Sequence, residues 1–291
     1  MSINTYINNT KPIIDRQLKK LVGKKIPKEL KDAACYAIDG PGKRLRPLLT
    51  MAICKDLKVP AGKALAPACA LEYIHLYSCI HDDLPAMDND SLRRGRKTLH
   101  VAYPEWLAIL TGDLFLTKAF KILADAPKIN AEQKIRMIRQ LSYNAGGENL
   151  IGGQTIDMQQ DKSGFTWKKL KEMHNRKTGA LLKTAIEFGC ILANLKPDKT
   201  KILLEAAQIL GLAYQIIDDI LDETGKTAIL GKKSGADRDL QKNTAVSLLG
   251  LKKAQKEAAS LQKRALDLLK TPPFHLPLTL AMTEKLLQRD F

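Results

Sequence analysis

Residues 199–223, KTKILLEAAQILGLAYQIIDDILDE, constrain the fold more than any other stretch of the chain. Ile202, Ala206, Ile209, Ala213, Ile216 and Ile220 recur at alternating steps of four and three, one apolar stripe of a long helix. Gln215, Asp218 and Asp222 are spaced by the same rule and share a second face. At about 100° per residue, Asp218 stands about 200° from Ile216, so the polar face opposes the apolar one. Such a helix lines a cavity or faces solvent. Helical spacing dominates elsewhere, and no alternating β-branched run of strand length interrupts it. Short breakers fall at 41–47, 125–130 and 194–199. A longer one, rich in Gly, Lys and Asp, covers 224–244 and reads as a mobile surface loop with functional work. No Pro/Ser-rich linker divides the chain, so a single all-α domain over residues 1–291 is expected.

A second polar concentration, SCIHDDLPAMDNDSLRRGRK at 78–97, sets Asp82, Asp83, Asp88 and Asp90 beside Arg93, Arg94, Arg96 and Lys97. Asp82 and Asp83 close a helix-like segment, and Pro85 opposes its continuation. Asp88 is therefore expected to return by a turn rather than by helical phase. His75 lies seven residues before Asp82, on the same face two turns away. Either acidic cluster alone reads as a charged helix end. Both together, each in an otherwise apolar helix, call for a cation among them, because adjacent carboxylates repel. Oxygen ligands without His or thiolate point to Mg²⁺ rather than zinc. Mg²⁺ held by few carboxylates completes its shell with water and phosphate oxygens, and the neighbouring arginines suit the rest of that anion.

The formal net charge of +16 permits nucleic acid, an anionic membrane or small polyanions as partners. Aromatics are 5% of the chain and no zinc-finger or RNA-binding signature accompanies the basic runs, so nucleic acid is disfavoured. Runs such as KKLVGKKIPKELK and LKKAQKEAASLQKR also read as solvated helix surface. The absence of an 18-residue apolar run argues against stable membrane insertion. The amino terminus lacks the apolar core of a secretory signal, and five cysteines without a CxxC pair read as reduced thiols. A cytoplasmic protein is expected.

The motifs resemble those of the trans-isoprenyl diphosphate synthases, in their bacterial farnesyl form. GPGKRLRP (40–47), DDLPAMDNDSLRRG, GGQTID (152–157), KTGAL (177–181), DDILD (218–222) and LGKKSGAD (230–237) occur in that family's order, and the likeness runs to LLQRDF at the end. The resemblance implies a helical bundle of the isoprenoid-synthase type around a central cavity, usually a homodimer. It implies condensation of isopentenyl diphosphate onto dimethylallyl or geranyl diphosphate. Three Mg²⁺ ions would bridge Asp82 and Asp88 on one side and Asp218 on the other, with Asp83 and Asp222 in direct or water-mediated support. By family position, Lys43, Arg46, His75 and Arg94 bind isopentenyl diphosphate. Arg93, Lys177 and Lys232 grip the allylic diphosphate, with Lys242 nearby, and Thr178 and Gln215 line the forming carbocation. The released pyrophosphate would take the final proton.

Product length is expected to rest on Tyr77, five residues before Asp82 and so about 7.5 Å deeper along a helix. In similar bacterial enzymes an aromatic there floors the pocket of the growing chain. Ser78 is too small to act alone, and Tyr73, one turn further on, could reinforce the floor. A C15 product follows. The rivals are a geranylgeranyl or longer-chain synthase, against which Tyr77 argues, and a terpene cyclase, against which Lys43, Arg46 and His75 argue. A basic helical scaffold would leave the acidic clusters without a purpose. Three positions depart from the family's commonest pattern: Ala245, Tyr214 and Asn89.

Overall fold

The computed structural model describes residues 2–159, 164–224 and 242–288. Two long helices carry the acidic clusters at their ends: α4 (Ala61–Asp82) and α11 (Pro197–Glu223). Before α4 come α1 (Ile3–Val22), α2 (Lys28–Ile38) and α3 (Leu45–Asp56). Between α4 and α11 lie α5 (Leu99–Ala102), α6 (Glu105–Ala124), α7 (Ala131–Ala145), α8 (Leu150–Met158), α9 (Trp167–His174) and α10 (Ala180–Leu192). After α11 come α12 (Ala245–Leu249), α13 (Leu251–Lys270) and α14 (Pro277–Gln288). Helix starts follow local chemistry: the side chains of Ser2, Asn130 and Thr166 each accept a first-turn amide, and Thr244 and Ser247 form a reciprocal capping box.

Helix α4 packs along α6 and α3, α11 packs along α13, and α10 touches α3, α4 and α11, joining the two halves. One continuous apolar core reaches from Tyr6 of α1 to Leu287 of α14, with Tyr73, Phe115 and Phe188 fully buried inside it. A smaller cluster around Leu170, Met173, Leu212 and Ile216 sits under α9, α12 and α13. The stripe read from the sequence forms part of this burial: Ala206, Ile209, Ala213 and Ile216 are buried, while Ile202 and Ile220 are half-buried. By length and composition α11 could cross a membrane, but half of its apolar window is buried inside the protein.

Local departures from the sequence reading cluster around the acidic motifs. Helix α3 begins at Leu45, so Pro47 falls in its first turn, where its missing N–H is no loss. Residues 92–97 form a small hairpin, with Leu92 opposite Lys97 and Arg93 opposite Arg96. Its two-residue turn, Arg94-Gly95, has both φ angles positive, 53° and 75°, which matches the right-handed strand twist. Residues Asn175–Gly179 form a π-helical turn between α9 and α10. All five cysteines are free thiols.

Candidate active site

Asp82 is the last residue of α4 and Asp83 caps it. The chain then doubles back: Asp88 N–H donates to the Asp82 carbonyl at 2.9 Å and Asn89 N–H to the Leu84 carbonyl at 3.1 Å. Asn89 takes φ 52°, the left-handed region that asparagine tolerates well, which accounts for its presence here. The turn expected from Pro85 thus places Asp88 over Asp82. Asp83 goes elsewhere: buried, it accepts a forked pair from Arg93, Nε at 2.8 Å and Nη2 at 2.7 Å. Burial pushes the Asp82 carboxyl up to about 6; Asp88 and Asp157 add to the shift, and Lys177 and Arg93 oppose it. Asp218 and Asp222 stand half-buried in the last turns of α11. Both acidic clusters therefore occupy helix C-termini, where the helix dipole also disfavours negative charge. Carboxylates gathered in this way need cations beside them.

Two lysines supply part of the need. Lys177 Nζ lies 2.5 Å from Asp157 Oδ2, and Lys242 Nζ lies 3.2 Å from Asp88 Oδ1 and 3.9 Å from Asp157 Oδ2. Lys177 and the next residue, Thr178, ride on the π-helical turn, a local widening that often marks functional sites. Thr178 Oγ1 donates to Gln215 Oε1 at 2.9 Å, which ties this turn to α11 one helical turn before Asp218. Two glycines make the approach feasible. A Cβ on Gly153 of α8 would collide with the Lys177 backbone, and one on Gly211 of α11 would lie 2.5 Å from Gly179 Cα. Lys177 thereby meets Asp157, and Thr178 meets Gln215 on the face of α11 that carries Asp218.

Beside this centre, residues 40–44, α4 and the 92–97 hairpin enclose a pocket lined by Arg44, Glu72, His75, Cys79, Arg93 and Arg94. His75 is held well below the usual imidazole range by burial first, then by Arg46, Arg94, Arg93 and Arg44 around it. Arg94 Nη1 reaches the Pro41 carbonyl at 3.3 Å, and Arg96 lies 3.6 Å over the Tyr36 ring, so the hairpin is docked on its neighbours. Lys43 and Arg46, half-buried and close to Arg44 in the chain, are not among the residues that line this pocket. Tyr77 is 5% exposed, stacks edge-on against His81 at 5.8 Å, and has its hydroxyl pushed up to about 12 by burial. Ser78 bonds the His75 carbonyl at 2.9 Å. Tyr73 is a core anchor: its hydroxyl donates to the Leu18 carbonyl at 2.8 Å and its ring packs on Phe115 at 4.7 Å.

Several groups escaped the sequence reading. Asp157 lies within GGQTID, but no spacing rule links it to Lys177, twenty residues on. Asp219, the second acid of DDILD, is buried and accepts from His174 Nε2 at 3.2 Å and from the Ala245 amide at 2.7 Å. It anchors the start of α12 through backbone, so the alanine side chain at 245 suffices. Lys232 lies outside the described residues.

Residues 27–271 match the polyprenyl synthetase family. The chain belongs to that family. Among polyprenyl synthetases it is 45% identical to farnesyl diphosphate synthase of Escherichia coli strain K12 over 76% of this chain and 75% of that one. It is 41% identical to geranylgeranyl diphosphate synthase of Cyanophora paradoxa over 90% and 88%. A Helicobacter pylori geranyltransferase, solved with magnesium and isoprenyl diphosphate, superposes with a TM-score of 0.83 at 29% identity, covering 98% of this chain and 96% of that one.

Does the acidic end of this polyprenyl synthetase suit magnesium? Among the described residues no three acidic, His or Cys side chains converge into a ready-made cage. Mg²⁺ does not need one, since it commonly takes one or two carboxylates and fills its shell with water and phosphate oxygens. The donors are all hard oxygens, and burial raises the Asp82 carboxyl, with the neighbouring Asp88 and Asp157 carboxylates adding to the shift. The residues fit the ion.

Proposed function

We propose that this protein is a magnesium-dependent trans-prenyltransferase that joins isopentenyl diphosphate to dimethylallyl and then geranyl diphosphate, releasing farnesyl diphosphate. The observation that carries this reading is the pairing of Lys177 with Asp157 and of Lys242 with Asp88 and Asp157 close to Asp82, next to an arginine-ringed neutral His75. Magnesium, three ions on the family's pattern, held by Asp82, Asp88 and Asp218 with Asp222 in support, would neutralise the departing diphosphate.

The protein's own groups account for the rest. Lys177 and Lys242, paired now with Asp157 and Asp88, exchange those partners for diphosphate oxygens, joined by Arg93 and Lys232. Asp83 keeps the Arg93 fork aimed. The Thr178 hydroxyl donates its hydrogen bond to Gln215 Oε1, which leaves the hydroxyl lone pairs for the developing allylic cation. Lys43, Arg46, Arg94 and the neutral His75 hold isopentenyl diphosphate so that its double bond reaches C1 of the allylic partner. Apolar walls exclude the water that would quench the cation. The released pyrophosphate accepts the proton lost in the last step. Tyr77 floors the pocket and stops growth at C15, with Ser78 too small to do so.

Five free thiols suit a reducing, cytoplasmic setting. The exposed apolar face of α5 and α6, with Val101, Trp106, Ile109 and Leu110, suits burial against a second copy in a homodimer. The geranylgeranyl relative keeps one alternative open, a C20 product by the same chemistry. Incubation with Mg²⁺, isopentenyl diphosphate and dimethylallyl diphosphate, followed by chromatography of the dephosphorylated products, decides it. C15 is expected. A dominant C20 alcohol selects the alternative, and no condensation at all removes the proposal.

A further inference from the structure

The loop between α2 and α3 carries three cations with different fates. Lys43 and Arg46 are half-buried, whereas Arg44 is only 4% exposed. Arg44 caps α3 with φ 54° and ψ 37°, a left-handed backbone uncommon outside glycine. Its guanidinium is held on every nitrogen. Nε donates to Asp15 of α1 at 2.7 Å, Nη1 to Glu72 of α4 at 3.1 Å, and Nη2 to the Ile38 carbonyl at the end of α2. A Cβ on Gly42 would strike this same guanidinium, so glycine is required for the loop to fold over it.

Glu72 is 2% exposed and sits one helical turn before His75. Its Oε1 serves Arg44, but its Oε2 is buried without a hydrogen-bond partner, and so is the Nε of Arg46. A buried polar atom left unpaired costs about 1–3 kcal/mol, and native structures hold few of them. The unmet Arg46 donor marks a network that an added acceptor would complete. A bound diphosphate supplies the acceptor that Arg46 lacks.

We propose that Arg44 and Glu72 are positioning residues for isopentenyl diphosphate: Glu72 anchors the Arg44 fork, and the fork sets the loop that presents Lys43 and Arg46. The inference rests on reading this pocket as the isopentenyl diphosphate subsite, and neither residue contacts the reacting carbons. Two other roles make different predictions. A purely structural pair moves stability and leaves affinity alone. A carboxylate that merely dilutes the positive field, once neutralised, lets the site bind anions more tightly.

The test measures isopentenyl diphosphate binding by calorimetry without allylic substrate, together with KM for each substrate, in full-length protein. Arg44→Lys keeps the charge but cannot make three fixed bonds, and Glu72→Gln keeps the shape but loses the charge. Each should weaken isopentenyl diphosphate binding by about tenfold, while KM for dimethylallyl diphosphate stays within about twofold. If a single variant does not fold, Arg44→Met/Glu72→Met removes the buried pair as a unit, which often preserves stability. That double variant should melt near the wild type yet still bind weakly. Unchanged affinity in any folded variant, or tighter binding by Glu72→Gln, overturns the positioning role alone. Wild-type protein that binds no isopentenyl diphosphate overturns the subsite reading itself, and this inference with it.

Discussion

Replacing Gly153 with alanine tests whether the placement of the π-helical turn sets turnover. The new Cβ would lie 2.8 Å from Lys177 Cα and 2.9 Å from the Arg176 carbonyl carbon, and closer still to the Lys177 nitrogen. Carbon atoms in contact prefer about 3.5–4.0 Å, so the turn must retreat by about 1 Å. These are backbone atoms and cannot swing aside. The Lys177–Asp157 contact at 2.5 Å and the Thr178–Gln215 bond at 2.9 Å both hang on that backbone and would be stretched or misdirected. A displacement of about 1 Å at a reacting centre costs on the order of 10²-fold in rate, about 2.7 kcal/mol of barrier. Overpacking costs about 1–3 kcal/mol of stability, partly offset because alanine favours the helix by about 1 kcal/mol over glycine. The variant should therefore remain folded. Initial rates of labelled isopentenyl diphosphate incorporation, read beside a thermal melt, give both numbers. Gly147→Ala is the control, since a Cβ there meets nothing within 4 Å. A folded Gly153→Ala protein with wild-type kcat would refute the idea that this turn must stand where it does.

Tyr77→Ala removes the floor and should move the main product from C15 to C20 on chromatography; an unchanged C15 peak dismisses Tyr77 from length control. Asp218→Ala should lower turnover by at least about 10²-fold with its melting temperature kept, because metal charge stabilises the departing anion by several kcal/mol. Full activity at ordinary Mg²⁺ would count against the second cluster. His75, depressed by burial and four arginines, stays neutral in the fold but takes a proton in the unfolded chain below its ordinary pKa. The unfolded state then binds more protons, so stability falls as pH drops through about 6.5, by up to about 2 kcal/mol at pH 5. His75→Asn should flatten the melting profile over that interval, and a profile parallel to the wild type would sink the assignment.

Helix α11 was legible because its information is periodic. The apolar stripe and the Gln215, Asp218, Asp222 face each repeat within seven residues, and a helix converts that spacing directly into a side. The turn after Asp83 was legible for a similar reason, since Pro85 forbids the alternative locally. The hairpin at 92–97 was not, because two residues per strand give no alternation to detect. Asp83 shows the limit most clearly. In sequence it is half of an acidic pair, yet in the fold it belongs to Arg93.

By itself the sequence determined an all-helical class, the two faces of α11, and the kinds of ligand its acids and arginines can hold. Those properties follow from bonds and spacings within a few turns. Tertiary structure alone decided that Lys177 meets Asp157, that Lys242 reaches Asp88 across 154 positions, and that Arg44 rather than its neighbours is the buried cation. Such pairings arise where separate helices pack, and glycines such as Gly153 and Gly211 set how close they come. No local spacing encodes that distance.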